Sequence, residues 1–205
     1  MKDLIIRHSI NLLILTCVSV GIYTALNWSS MPMLQRLVGL IFIMYAFHEF
    51  EEFKFPGGFT EMTTKGLDFS LPRPESAKLV VALAIFCIAF VPFFFTNIAW
   101  LAIAPMLLGI LEVVAHFGMI KIFKLKRLYS PGMATALLML PISIYSIYYV
   151  VQNDLIQPVQ WLYAVVYMAV IFFIAQITVI KLNGLNYFEF VKNGRATVLA
   201  RLKQQ

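Results

Sequence analysis

The sequence predicts an all-α fold: a polytopic integral membrane bundle of six transmembrane helices with both termini cytoplasmic. Three observations lead there. Hydrophobic residues make up 61% of the chain and charged residues only 13%, a balance outside the range of soluble domains. Six segments approach the roughly 20 apolar residues needed to cross a hydrocarbon core about 30 Å thick. Basic residues collect in alternate connections: Lys2 and Arg7 at the start, Lys54, Lys65 and Arg73 in the second loop, Lys121, Lys124, Lys126 and Arg127 in the fourth, and Lys181, Lys192, Arg195, Arg201 and Lys203 in the tail. The intervening loops lack them, apart from Arg36 just inside the second span, which can snorkel outward. The net charge of +6 therefore reads as topology, and no nucleic-acid partner is expected.

The first span is expected over residues 9–27. Its apolar run is too long for a signal-peptide core and carries no small-x-small cleavage site, so it is read as retained, with His8 at its mouth. The second span covers 32–50, and residues 53–75 follow as an interfacial loop rich in Gly, Pro and aromatics. Spans three and four, 76–95 and 97–120, meet in a tight hairpin at Thr96 and Asn97 between two prolines. The fifth covers 131–151 and the sixth 159–180. With no internal repeat, residues 1–180 form one domain, and 181–205 are a basic amphipathic tail held at the membrane surface. Cys17 and Cys87 fall inside spans and read as small apolar residues. The expected location is a cytoplasmic membrane, the inner membrane of a bacterium.

Against this background, HEFEE at 48–52 stands out. At 3.6 residues per turn His48, Glu51 and Glu52 (i, i+3, i+4) share one face, while Glu49 points elsewhere. On the fourth span LEVVAHFG places Glu112 and His116 at i and i+4. Counting a rise of about 1.5 Å per residue from the outer ends puts His48 and Glu112 at the same depth, roughly 23–24 Å inward. Ionisable side chains at such depth are costly unless paired, coordinated or hydrated, and they face the bundle interior. Imidazole and carboxylate donors together suit a divalent transition metal, Zn, Fe or Mn. With three histidines in all, the chain cannot assemble a histidine-box oxygenase. It also lacks paired Glu-x-x-His motifs and the His-Glu-x-x-His of zinc proteases.

A third element is KRLYSPGMAT, 126–135. Ser130 is expected to cap the fifth helix, Pro131 to occupy its first turn and Gly132 to leave backbone N–H groups accessible. Beside Lys124, Lys126 and Arg127, that helix start would seat a phosphate or carboxylate, with Lys124, Arg127, Ser130 and Thr135 as the substrate-binding groups.

Together the three motifs resemble the HXXEE-motif membrane protein family. HEFEE is followed by FPGGF, and Tyr129 to Thr135 fit that family's Tyr-x-Pro-Gly-x-x-Thr signature. Its middle motif, Asn-x-x-x-His, corresponds to Glu112–His116, where position 112 carries Glu instead of Asn. The family is of unknown function and suspected to be enzymes, so the resemblance strengthens the site and leaves the reaction open. The departure ranks Glu112 below His48, Glu51, Glu52 and His116 as a ligand.

The reading that results is a membrane-embedded, metal-dependent enzyme acting on a membrane lipid or another hydrophobic small molecule. His48, Glu51, Glu52 and His116 are expected to hold the metal. Glu52, Glu112 and Tyr129 would serve catalysis, and Lys124, Arg127, Ser130 and Thr135 would bind substrate, with the loop at 53–75 as a lid. A metal-free acid–base isomerase or cyclase would use the same groups. A proton or divalent-metal transporter would need polar steps through the outer half, where the sequence offers few besides Arg36, Thr96 and Asn97. A noncatalytic assembly or lipid-binding factor would need none of the four core residues.

Overall fold

The computed structural model describes residues 2–203. They form eight helices: α1 (Lys2–Leu26), α2 (Met33–Phe53), α3 (Phe59–Leu67), α4 (Pro74–Phe94), α5 (Ala99–Ile122), α6 (Met133–Gln152), α7 (Pro158–Leu182) and α8 (Tyr187–Lys203), with no strand among the described residues. Six of these, all but α3 and α8, are long and apolar enough to cross a membrane. The chain is an all-helical integral membrane protein. Large apolar side chains such as Leu15, Ile22, Leu138 and Ile174 lie on the outside, as a lipid-facing surface requires.

The span boundaries follow local chemistry. Pro32, Pro74 and Pro158 sit at or just before helix starts, where the missing N–H is one of the donors left without an intrahelical partner. The break between α4 and α5 falls at 95–98, around the Thr96–Asn97 turn expected from the sequence. Within α4 the helix widens to a π turn over Phe86–Phe90, and the carbonyl of Cys87 accepts the hydroxyl of Tyr167 on α7. The first helix begins earlier than the expected span, and the fifth span begins at Met133 instead of Pro131.

Helix α2 is the most enclosed of the six and α7 the most peripheral. Helix α2 packs on α1, α4, α5 and α6. Its central residues Val38, Ile41, Phe42, Tyr45 and Ala46 are fully buried, and Tyr45 donates to the carbonyl of Pro105 on α5 at 2.9 Å. Helices α5 and α6 approach so closely at Gly109 that a Cβ there would lie 2.2 Å from Ser143 Oγ, the small-residue contact that lets membrane helices pack without a hydrophobic driving force. This arrangement brings the end of α2, the last turns of α5 and the start of α6 together.

The two connections expected to be interfacial are partly helical. Residues 53–75 contain the amphipathic helix α3, and the tail forms α8. They meet each other: Phe69 after α3 stacks edge-on against Phe190 of α8 at 5.0 Å, and Arg201 reaches the carbonyl of Lys65.

Candidate metal centre

His48 and His116 come from α2 and α5, are 1% and 0% exposed, and set their rings edge to face 5.2 Å apart. Each ring is held by its Nδ1. His48 Nδ1 lies 2.9 Å from the carbonyl oxygen of Gly132. A carbonyl only accepts, so this contact puts the proton of the neutral ring on Nδ1 and leaves Nε2 with a free lone pair. His116 Nδ1 lies 2.8 Å from the hydroxyl of Ser130. With both Nδ1 atoms engaged, both Nε2 atoms turn to one point: each is 3.5 Å from Oε1 of Glu52.

That arrangement fits a small cation. Nε2 of His116 is buried without a hydrogen-bond partner among the described residues, a rare condition for a polar atom. At 3.5 Å the contacts to Glu52 are too long for good hydrogen bonds. Donors about 2.0–2.1 Å from a tetrahedral ion stand roughly 3.3 Å from one another. Ligand atoms of His48, Glu52 and His116 all fall within 4.8 Å of each other, so this group could hold a metal ion. Glu112, on α5 one turn before His116, sets Oε2 3.7 Å from His48 Nε2. The two half-sites expected to lie level therefore meet.

Glu51 departs from its expected place. Although it shares a helical face with His48 and Glu52, its carboxylate turns to the first turn of α6. Oε1 accepts from the Tyr129 hydroxyl at 2.9 Å and the Ala134 N–H at 3.2 Å; Oε2 accepts from the Thr135 N–H at 2.8 Å and from the Thr135 hydroxyl. Four donors and the positive end of the helix dipole hold it there, so Glu51 caps α6 and stands apart from the group that His48, Glu52 and His116 form.

The same contacts engage residues expected to bind substrate. The residue at the N-cap is Gly132 and no side chain of its own segment caps the helix; Ser130, expected to do so, is spent on His116. Thr135 bridges Glu51 and His48, its oxygen 3.1 Å from His48 Nδ1. Tyr129, expected to assist catalysis, donates to Glu51, and its phenol is pushed up to about 12 by burial and by that carboxylate. Lys124 and Arg127 are exposed, and the helix start beside them, expected to seat a substrate anion, already holds Glu51.

Gly132 completes the packing. Its φ of +95° belongs to the left-handed region, and a Cβ on it would stand 2.7 Å from Glu52 Cγ and 2.8 Å from Cε1 of both His48 and His116. The Tyr-x-Pro-Gly-x-x-Thr segment is thus a cradle: its glycine lets the backbone touch three members of the cluster, its threonine joins the cap to one imidazole, and its tyrosine steadies the cap.

From the cluster a cavity of about 540 Å³ runs between α2, α4, α5 and α7. Its wall is chiefly apolar, with Val81, Ala84, Ile88, Leu108 and Leu111 on the helices, a size and character typical of small-molecule sites. Phe59, Thr60, Thr63, Phe69 and Leu71 of the 53–75 segment and Phe190 of α8 cover one end. Besides His48, Glu52 and Glu112, the wall includes Glu49, which is 4% exposed. Sequence reasoning set Glu49 aside as pointing away; its i, i+3 relation to Glu52 was the signal that both carboxyls look toward one side of α2.

Comparison with curated proteins and with solved structures finds no match. A family model, described as a protein of unknown function with an HXXEE motif, matches residues 39–146, more than half of the chain. The match runs from α2 into α6 and takes in every residue of the cluster and its cradle. The chain belongs to the family of proteins of unknown function with an HXXEE motif.

Proposed function

We propose that the protein is a membrane-embedded, metal-dependent enzyme acting on a lipid-soluble or lipid-tailed substrate. One observation carries the reading: two buried imidazoles, each anchored through Nδ1, aim their Nε2 atoms at a single carboxylate oxygen at the end of an apolar cavity. His48, His116 and Glu52 would hold a divalent transition ion, with Glu112 beside them. Such an ion supplies Lewis-acid activation of an oxygen bound to it. The chain's own part is placement and enclosure. Gly132 and Ser130 fix the rings, as groups behind metal-bound histidines commonly do. Glu51 locks the start of α6 against α2. The apolar wall keeps bulk water from the cluster, where electrostatic effects are stronger than in solution. Glu112, partly exposed and 3.7 Å from His48, is the group best placed to take or give a proton to a molecule in the cavity. The 53–75 segment would act as the lid, and the site would open toward the cytoplasmic half of the bilayer.

The test is metal analysis of protein purified from membranes without added chelator. One transition ion per chain, lost in His116→Ala and in His48→Ala, is the expected result. Metal-free protein that still turns over would leave the metal-independent acid–base reading. Ion flux in liposomes abolished by His116→Ala would replace the enzyme reading with a transporter.

A further inference from the structure

The arrangement above leaves one buried carboxyl unused. Glu49 lines the cavity, is 4% exposed, and its Oε2 meets no hydrogen-bond partner among the described residues. Leaving a buried polar atom unsatisfied costs about 1–3 kcal/mol, which is why such atoms nearly always have partners. Glu49 lines the cavity, while Oε2 itself is closed off, so an occupant reaches it through a small turn of the carboxyl. Turned toward the cavity, the carboxyl would find in an occupant the partner that Oε2 lacks.

The charges on the wall narrow the occupant. Among the described residues three carboxyls line it, Glu49, Glu52 and Glu112, and no lysine or arginine does. A divalent ion in the cluster is already matched by Glu52 and Glu112. A phosphate, sulfate or carboxylate head would add another negative charge in a poorly screened space with no cation of the protein to meet it. Nor does the helix start of α6 help, because Glu51 fills it.

We propose that the cavity takes an apolar molecule whose polar end is uncharged or cationic and carries a hydrogen-bond donor, an alcohol, amide or amine, and that the Glu49 carboxyl accepts from it. The proposal rests on the reading of the cavity as the substrate site and adds its specificity. Glu49 is a selectivity residue and does not ligate the metal.

Photolabelling of the full-length protein in lipid nanodiscs tests this without any turnover assay. Four probes share one saturated chain with a photoreactive diazirine near its end and differ only in the head: alcohol, primary amine, carboxylate or phosphate. The alcohol and amine probes are expected to label cavity residues such as Val81, Ala84 and Leu111 at least about tenfold more than the two anions, a ratio worth about 1.4 kcal/mol. Glu49→Gln, nearly isosteric, is expected to lower amine labelling by about tenfold. Glu49→Asp, which keeps the carboxyl on a shorter arm, should retain preference for the amine over the phosphate. Equal or stronger labelling by the carboxylate or phosphate probe overturns the proposal. So does an unchanged preference in a Glu49→Gln protein that elutes and melts like the wild type. Metal content is measured on the same samples. Absence of metal together with the expected labelling sinks the metalloenzyme reading alone, whereas bound metal with anion-preferring labelling sinks only the head-group proposal.

Discussion

Replacing Gly132 by alanine separates two costs that the structure places on one residue. The backbone at φ +95° is unfavourable for an L side chain, a strain of about 1–3 kcal/mol. The new methyl would also stand 2.7–2.8 Å from Glu52, His48 and His116, and overpacking of this kind costs about 1–3 kcal/mol. Gly58 supplies the control: its φ is +98°, while the nearest atom to a Cβ is Pro131 Cγ at 3.8 Å, so Gly58→Ala carries strain without crowding. Unfolding in mixed micelles is expected to show a loss of about 2–6 kcal/mol for Gly132→Ala against about 1–3 kcal/mol for Gly58→Ala. Competition with a fluorescent zinc chelator adds the functional readout. Displacing ring and carboxylate together should weaken zinc binding by at least the 10–100-fold seen when groups behind metal ligands are altered, whereas Gly58→Ala leaves it within a few-fold. Equal destabilisation by the two variants, with zinc affinity intact in both, would refute the idea that the cradle requires a bare backbone at 132.

Two further outcomes follow from the same contacts. Ser130→Ala removes the hydrogen-bond partner of His116 Nδ1, so zinc affinity should fall about 10–100-fold, and Ser130→Thr, which restores a hydroxyl, should recover most of it. The Tyr129 phenol, raised from 10.0 to about 12, holds its proton more firmly folded than unfolded. Its contribution to stability is present below pH 10 and disappears as pH rises through about 12. The phenolate absorbance missing from Tyr129→Phe should titrate near that value in the wild type and move toward 10.0 in Glu51→Gln; a midpoint unaffected by Glu51→Gln would show that the carboxylate does not hold the phenol.

The parts of this architecture that depend on period and length were open to reading from sequence. Apolar runs about as long as a bilayer is thick identified the six long helices, and the i, i+3, i+4 spacing identified both polar faces. Equal depth was enough to bring His48 and Glu112 together. Direction within a face was not legible. Glu51 and Glu52 are adjacent and share a helical face with His48, yet one goes to a helix start and the other to the two imidazoles. What divides them is the position of α6, a tertiary fact that no helical wheel contains. Ser130 illustrates the same limit from the other side: the residue type suits an N-cap, but the αL glycine at 132 displaces the cap position by two residues and frees the hydroxyl for His116. Helix α3 was missed because it is nine residues long and lies among Gly and Pro signals that locally favour turns.

The bond pattern around Glu51 also bears on how the protein is made. A chain leaves the ribosome from its amino end, so α2 is complete long before the Ala134 and Thr135 amides exist. Until α6 has been threaded into the bilayer, Glu51 lacks all four of its donors and His48 lacks its carbonyl anchor. An ion held by this cluster would consequently be captured late in biogenesis, and nascent intermediates with fewer than five crossings would carry none.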